Sequence, residues 1–299
     1  MSHLNEDLYR TMYLIRACEE KIIKHYHENE MKTPVHLGIG AEAIYAGVIH
    51  ALKPEDQIFG TYRNHGIYLA KTGDTDSFFG ELLGRDAGQF HGKGGSMHLF
   101  APKHGFMASS AIVASTIPLA VGCAYSNKLQ GNNKWVASFF GDGAMEEGVF
   151  WESINFAMLH KLKVMFICED NAYAIHTHIS QRQSKEFSRA VPCTYYPSIY
   201  QNSGGDMSGV MPCTYSQVAK ARYLDGPVFM RFEYQREYEH CGTDKDWGVG
   251  YRERKDIPDP LIKEKKQLSQ YAIDDIETKV NRQIEDSWNK AKKSPIVMQ

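Results

Sequence analysis

Asp142 and Asn171 are the residues whose types and spacing most directly suggest chemistry. They stand 29 residues apart, in Gly141-Asp142-Gly143 and Glu169-Asp170-Asn171. One carboxylate and one amide carbonyl make a poor transition-metal site. They are a reasonable partial shell for Mg²⁺, which takes hard oxygens in octahedral array and shares them with phosphates and water. The glycines flanking Asp142 let backbone approach an anion, and a helix starting near Ala144 would aim free N–H groups at the same point. Gly-Asp-Gly alone is common in ordinary turns. Its weight comes from its position between two strand-like runs.

Those runs are Lys134 to Phe140 and Lys163 to Cys168, short apolar stretches suited to buried strands. Between them Phe150, Ile154, Ala157 and Met158 mark the apolar stripe of a helix, with Glu146 and Glu147 expected in its first turn. A parallel crossover brings Asp142 and Asn171 to one carboxyl edge, on strands roughly 5–10 Å apart. Open α/β sheets bind ligands at that edge. The expected class is therefore α/β, a mostly parallel sheet with helices on both faces, in a single domain over residues 1–299. Residues 6–30 and 39–52 read as amphipathic helices within a helical N-terminal segment 1–55, and 258–299 as a helical C-terminal segment. Residues 86–110 read as loop, 115–125 as a small-residue helix suited to a partner, and 179–216 as a long surface segment. Gly226 to Phe232 is a last buried strand leading to Arg236 and His240.

From Gly141 through Gly148, Glu152, Asn155 and Leu162 to Asp170-Asn171-Ala172-Tyr173, the chain resembles the thiamine diphosphate motif of alpha subunits of two-component 2-oxo acid and acetoin dehydrogenases. Thr61-Tyr62-Arg63-Asn64-His65-Gly66 is similar to that family's Tyr-Arg-x-His-Gly segment. His91 to His98 is similar to its Gly-Lys-Gly-Gly-Ser-Met-His loop, and Arg236 to His240 to its Arg-x-x-x-His. The likeness runs from about residue 7 to 265 and implies a thiamine diphosphate-binding fold of the diphosphate type. It further implies that Asp142, Asn171 and the Tyr173 carbonyl hold Mg²⁺, and that Gly143 and Ala144 lend N–H groups to the diphosphate. Tyr62, Arg63 and Arg236 would grip its outer oxygens, arginine by its fixed fork of donors. Ala111 and Val113 would meet the aminopyrimidine through backbone. His240 and His36 would face the thiazolium ring as the groups that handle protons. The implied reaction is attack of the thiazolium carbanion on a 2-oxo acid or acyloin, loss of carbon dioxide or aldehyde, and transfer of the acyl or aldehyde unit to an acceptor such as lipoamide on an acyltransferase.

Some letters depart from the family's pattern. Asp170 stands where it usually has a second asparagine, which leaves open an added metal ligand or an outward turn. Ala111 and Ala114 replace glycines, reducing backbone freedom. Cys241 replaces the serine that kinases modify in some relatives.

Thiamine diphosphate chemistry needs a second region whose glutamate activates the aminopyrimidine, and 299 residues hold room for one such region only. A beta-type subunit is therefore expected, most simply as α2β2; Glu42 reads as a first-turn helix residue instead. Two other readings are a transketolase-like carboligase half and a non-catalytic partner. A P-loop nucleotide enzyme is excluded, since Gly92 to Ser96 is too short for that loop. Lys and Arg number 34 against 36 Asp and Glu, a net charge of -2 that offers no general attraction to nucleic acid or anionic membrane. No apolar run is long enough to span a bilayer. Scattered cysteines without Cys-x-x-Cys, and no signal-peptide pattern at the start, lead to the expectation of a cytoplasmic protein. His176 and His178 make no zinc spacing with cysteine.

Overall fold

The computed structural model describes residues 2–31, 33–185, 187, 210–248, 250–254 and 256–297. Its centre is a five-stranded sheet in the order β2-β1-β3-β4-β7, all pairs parallel. The strands are β1 Gln57–Thr61, β2 Phe106–Ser110, β3 Val136–Gly141, β4 Val164–Asp170 and β7 Val228–Glu233; β5 Tyr173–Ala174 and β6 Thr177–His178 form a separate two-stranded hairpin.

The near-continuous apolar runs of β3 and β4 follow from burial on both faces. Val136 and Phe140, with Val164, Phe166 and Cys168, point to one side, where they pack on α5 Thr116–Leu129 and α6 Gly148–Leu159. Ala137, Phe139, Met165 and Ile167 alternate to the other side. There they meet a layer built from α1 Ser2–His25, α2 Glu42–Ala51, α3 His65–Thr72, α4 Thr75–Leu82, α7 Val210–Ala221, α8 Pro260–Lys265 and α9 Gln270–Lys293. Helix α9 is started by Ser269, whose hydroxyl accepts the Ala272 N–H at 3.2 Å. It buries Ile273, Ile276, Val280, Ile284 and Trp288, each contributing about 1.5–3 kcal/mol of hydrophobic stabilisation. Tyr9 of α1 donates to Glu277 of α9 at 2.6 Å, tying the two ends of the chain together.

Several boundaries differ from the sequence reading. The first helix stops at His25, followed by a 3-10 turn that Asn29 ends in the left-handed region at φ 57°. Residues 86–110 are not all loop, because Phe106–Ser110 is the edge strand β2. Its sequence hides it, since only Phe106 is fully buried. Asp142–Glu146 forms a 3-10 turn and α6 begins at Gly148, so Glu146 and Glu147 precede the helix. Glu147 takes an extended conformation, ψ 134°, that breaks helical continuity. The expected surface segment 179–216 lies mostly outside the described residues, although its last part belongs to α7. Among the described residues no helix is long and apolar enough to cross a membrane.

Candidate active site

The in-register pair Gly141 and Glu169 of β3 and β4 brings Asp142 and Asn171 side by side at the carboxyl edge of the sheet. They border a cavity of about 270 Å³. Of the residues singled out from sequence, Asp142, Gly143, Ala144, Asn171 and Tyr173 line one end; Tyr62, Arg63, Val113, Arg236 and His240 line the rest. Ala111 is not among the lining residues, and its neighbours Ile112 and Val113 are. His36 is not among the lining residues but packs directly on two that are, its ring 4.6 Å from Tyr62 and 5.1 Å from His240.

The backbone of this edge is conformationally unusual. Ala114 has φ 62° and Ile175 φ 53°, the left-handed region that costs L residues, and a β-branched one most. Both line the cavity, where such strain is commonly held by surrounding contacts. The Ile175 carbonyl accepts from Arg236 Nη2 at 3.4 Å. Gly143 lies close to its neighbour, and a Cβ there would come within 3.0 Å of that of Ala174.

Arg236 is almost wholly buried, its guanidinium held by Asp246 at 3.0 and 3.1 Å and by the Tyr251 hydroxyl at 2.8 Å. Arg252 donates to the same carboxylate at 2.8 Å. Arg63 donates to the Leu37 carbonyl at 2.5 Å and the His240 carbonyl at 3.2 Å. It thereby clamps the two histidine-bearing segments to each other. Burial, then the Arg63 charge, pushes His36 down to about 3; burial, Arg63 and Arg236 push His240 down to about 4. Both imidazoles are held neutral at pH 7, able to donate or accept a hydrogen bond. His36 Nδ1 is buried with no partner.

At the other end Asp142 is pushed up to about 6 by burial and then by the Asp170 charge, against the pull of Arg182. Arg182 Nη2 lies 2.5 Å from Asp142 Oδ2, and its Nη1 pairs with Glu146. Gln183 Nε2 adds bonds to the Asp142 carbonyl at 3.3 Å and to Glu146 at 2.9 Å. A hard cation here would find one carboxylate, the Asn171 amide oxygen and backbone carbonyls, with remaining positions for diphosphate and water. The donor set and the glycine-lined approach fit a magnesium diphosphate. Among the described residues no group of three or more His, Cys, Asp and Glu suits a metal by itself.

A family model described as the dehydrogenase E1 component matches residues 10–298. The chain belongs to the dehydrogenase E1 component family. Similar relatives include the pyruvate dehydrogenase E1 component subunit alpha of Rhizobium meliloti (strain 1021), 33% identical over 93% of this chain and 81% of that protein. The subunit alpha of Porphyra purpurea is 32% identical over 96% of this chain and 88% of that one. The chloroplastic subunit alpha-3 of Arabidopsis thaliana is 30% identical over 97% and 71%. This chain is thus an alpha subunit of a thiamine diphosphate-dependent 2-oxo acid dehydrogenase, an enzyme component that works with a beta subunit.

Within this E1 alpha chain the departures from the family's pattern acquire physical meaning. Asp170 does not turn outward. It pairs with Arg231 Nε at 2.5 Å and accepts the Ala172 N–H at 2.8 Å. Glu42 is buried in the first turn of α2, bound to Arg16 at 2.5 Å and to the Gly40 N–H at 2.9 Å. His176 and His178 pack on Tyr251 and Tyr173 at 4.5 and 5.0 Å. His91 makes an exposed pair with Asp86.

Three groups of this E1 alpha chain escaped sequence reasoning. Asp246 orients Arg236, the Arg182–Gln183 pair braces the 142–146 turn, and Glu81 gathers the glycine-rich loop. Glu81 Oε1 accepts the N–H groups of Gly94 and Gly95 at 2.6 and 3.1 Å; Oε2 accepts those of Phe90 and Gly92 at 2.8 and 3.1 Å. Only the ten-residue interval from Arg236 to Asp246 carries a local signal, an acid soon after an arginine.

Proposed function

We propose that this chain is the diphosphate-binding half of a decarboxylating component whose substrate is pyruvate or a close 2-oxo acid, the whole chain acting as one domain. The observation that carries this reading is the polarity of the cavity. Its lining carboxylates are Asp142, Glu146 and Glu147, on the turn between β3 and α6, and Glu169 near the end of β4. The lining stretch Ile112 to Ala114 brings none, and Ile112 and Val113 are 73% and 49% exposed. Leu119 on the next helix adds another exposed apolar side chain. Exposed apolar surface next to a half-furnished site suits a beta-type subunit bringing the aminopyrimidine-activating glutamate. We take the assembly to be α2β2.

Mg²⁺ would rest on Asp142, Asn171 and the Tyr173 carbonyl. Gly143 and Ala144 would donate N–H groups to the diphosphate, with Tyr62, Arg63 and Arg236 on its outer oxygens. Thiamine diphosphate, when bound, supplies the nucleophilic carbon and the electron sink for loss of carbon dioxide. His240 on the cavity lining, with His36 packed against it, then faces the reacting oxygen as part of a neutral imidazole pair that hydrogen-bonds to it. The strained Ala114 and Ile175 keep the cavity walls in place for the ring. The acyl unit would pass to a lipoyl-bearing acyltransferase. The relatives named above include bacterial and chloroplastic chains, and a cytoplasmic setting remains part of the proposal.

The test is calorimetric titration of thiamine diphosphate with Mg²⁺ into the chain, alone and with its beta-type partner, followed by pyruvate-dependent release of carbon dioxide. Weak binding alone and tight binding with the partner is expected, and Asp142→Asn should abolish the tight phase. Full-affinity binding by the isolated chain, or none with the partner, would overturn the half-site reading.

A further inference from the structure

His36 makes no hydrogen bond through its buried Nδ1, so its ring is placed by its backbone and by the rings it touches. The backbone is held on both sides. Val35 accepts the Gly242 N–H at 2.9 Å, and Leu37 accepts from Arg63 at 2.5 Å. Two residues after His36, the Gly38 N–H points into the carboxylate of Glu19, 2.8 Å from Oε1 and 2.9 Å from Oε2. Oε1 also lies 3.1 Å from His65 Nδ1, and His65 Nε2 lies 2.7 Å from Ser96 Oγ. Glu19, His65 and Ser96 are all fully or almost fully buried.

An acid-histidine-serine line invites comparison with a nucleophilic triad. Here the serine hydroxyl is enclosed and does not border the cavity that Asp142 and Asn171 share. Its own N–H is tied to Thr33 Oγ1 at 2.9 Å, and the loop before it is gathered by Glu81. The line therefore orders segments rather than attacking a substrate. It joins the glycine-rich loop to the His36 segment through groups that cost free energy to bury unless each is matched.

We propose that Glu19, acting with His65, is a positioning residue for His36. The proposal rests on the reading of His36 as a catalytic residue. A buried carboxylate with two short contacts to one N–H fixes the loop more tightly than a neutral acceptor can. Displacement of a reacting group by about 1 Å can cost on the order of 100-fold in rate.

The test uses the enzyme assembled with its beta-type partner and four variants: Glu19→Gln, His65→Gln, His36→Ala and Glu19→Gln/His36→Ala. Glu19→Gln should lower kcat by about 10–100-fold. KM and the calorimetric thiamine diphosphate Kd should stay within about twofold, because Glu19 itself hydrogen-bonds none of the groups assigned to the diphosphate. Amide exchange at Gly38 should quicken in the unloaded chain. The double variant should be no slower than His36→Ala alone, since Glu19 acts through His36. Multiplicative losses in the double variant, or parallel loss of kcat, cofactor affinity and melting temperature, would overturn positioning in favour of a general structural role. Should Glu19→Gln fail to fold, His65→Gln is judged by the same kcat, Kd and exchange criteria. Normal turnover in His36→Ala would instead overturn the reading of His36; loss there with unchanged Glu19→Gln and His65→Gln would overturn this proposal alone.

Discussion

Replacing Glu81 by Gln keeps shape and removes charge at the point where the glycine-rich loop is held. The native carboxylate takes four backbone N–H groups, two on each oxygen, at 2.6–3.1 Å. A glutamine keeps one acceptor oxygen and turns the other into an NH₂ group facing two N–H donors. Two hydrogen bonds to a charged group are lost, each contributing about 1.5–3 kcal/mol, so the full loss is about 3–6 kcal/mol. The loop can move to give the two stranded N–H groups to water, which places the expected loss near the lower end, about 3 kcal/mol. With an unfolding entropy of about 2.1 cal/mol/K per residue, a chain of this length should melt about 5 °C lower. Differential scanning calorimetry with amide exchange is the assay. A melting point within about 1 °C of the parent, with unchanged exchange over residues 90–96, would refute the argument that a single carboxylate orders this loop.

Two further outcomes follow from the charges around the cavity. His36 and His240, pushed down to about 3 and 4 by burial and Arg63, should show no imidazole titration by NMR between about pH 5.5 and 8. The unfolded chain binds protons at these histidines below about pH 6.5, and the fold does not until pH falls to about 4. Their contribution to stability is therefore full above pH 7 and lost as pH falls through that window; a titration near 6.5 in the folded chain would contradict the burial argument. Arg182→Gln removes a nine-tenths buried partner from Asp142 and Glu146. Breaking such a pair costs about 3 kcal/mol or more, and thermal unfolding should show that loss reduced when Mg²⁺ and thiamine diphosphate supply positive charge beside Asp142. An equal loss with and without them would separate Arg182 from the cation site.

The sheet could be read from the chain because two of its three inner strands, β3 and β4, are buried on both faces along nearly their whole length. Such strands need unbroken apolar runs, and 134–140 and 163–168 advertise themselves. Edge strand β2 did not, because half-buried Met107, Ala108, Ser109 and Ser110 carry no pattern a loop would not also allow. Asp142 and Asn171 were legible for a related reason. Each follows a strand directly, so strand order and crossover hand fix where it ends up. The family likeness supplied Tyr62, Arg63, Arg236, His240 and His36.

What depended on tertiary structure was the set of partners that give those residues their properties. Asp170 differs from the family's usual letter, and only its pairing with Arg231, 61 residues away, shows that it faces the interior. Glu19 and Gly38 lie on different elements, as do Glu81 and Gly94, and Arg182 reaches Asp142 across 40 residues. Sequence by itself determined the class of fold, the edge that carries the chemistry and the cofactor family, because periodicity and local motifs are properties of neighbouring residues. The charge state of the histidines, the anchoring of the loops and the orientation of the arginines were decided by the fold. They arise from burial and from contacts between segments, and neither is written in any one stretch of chain.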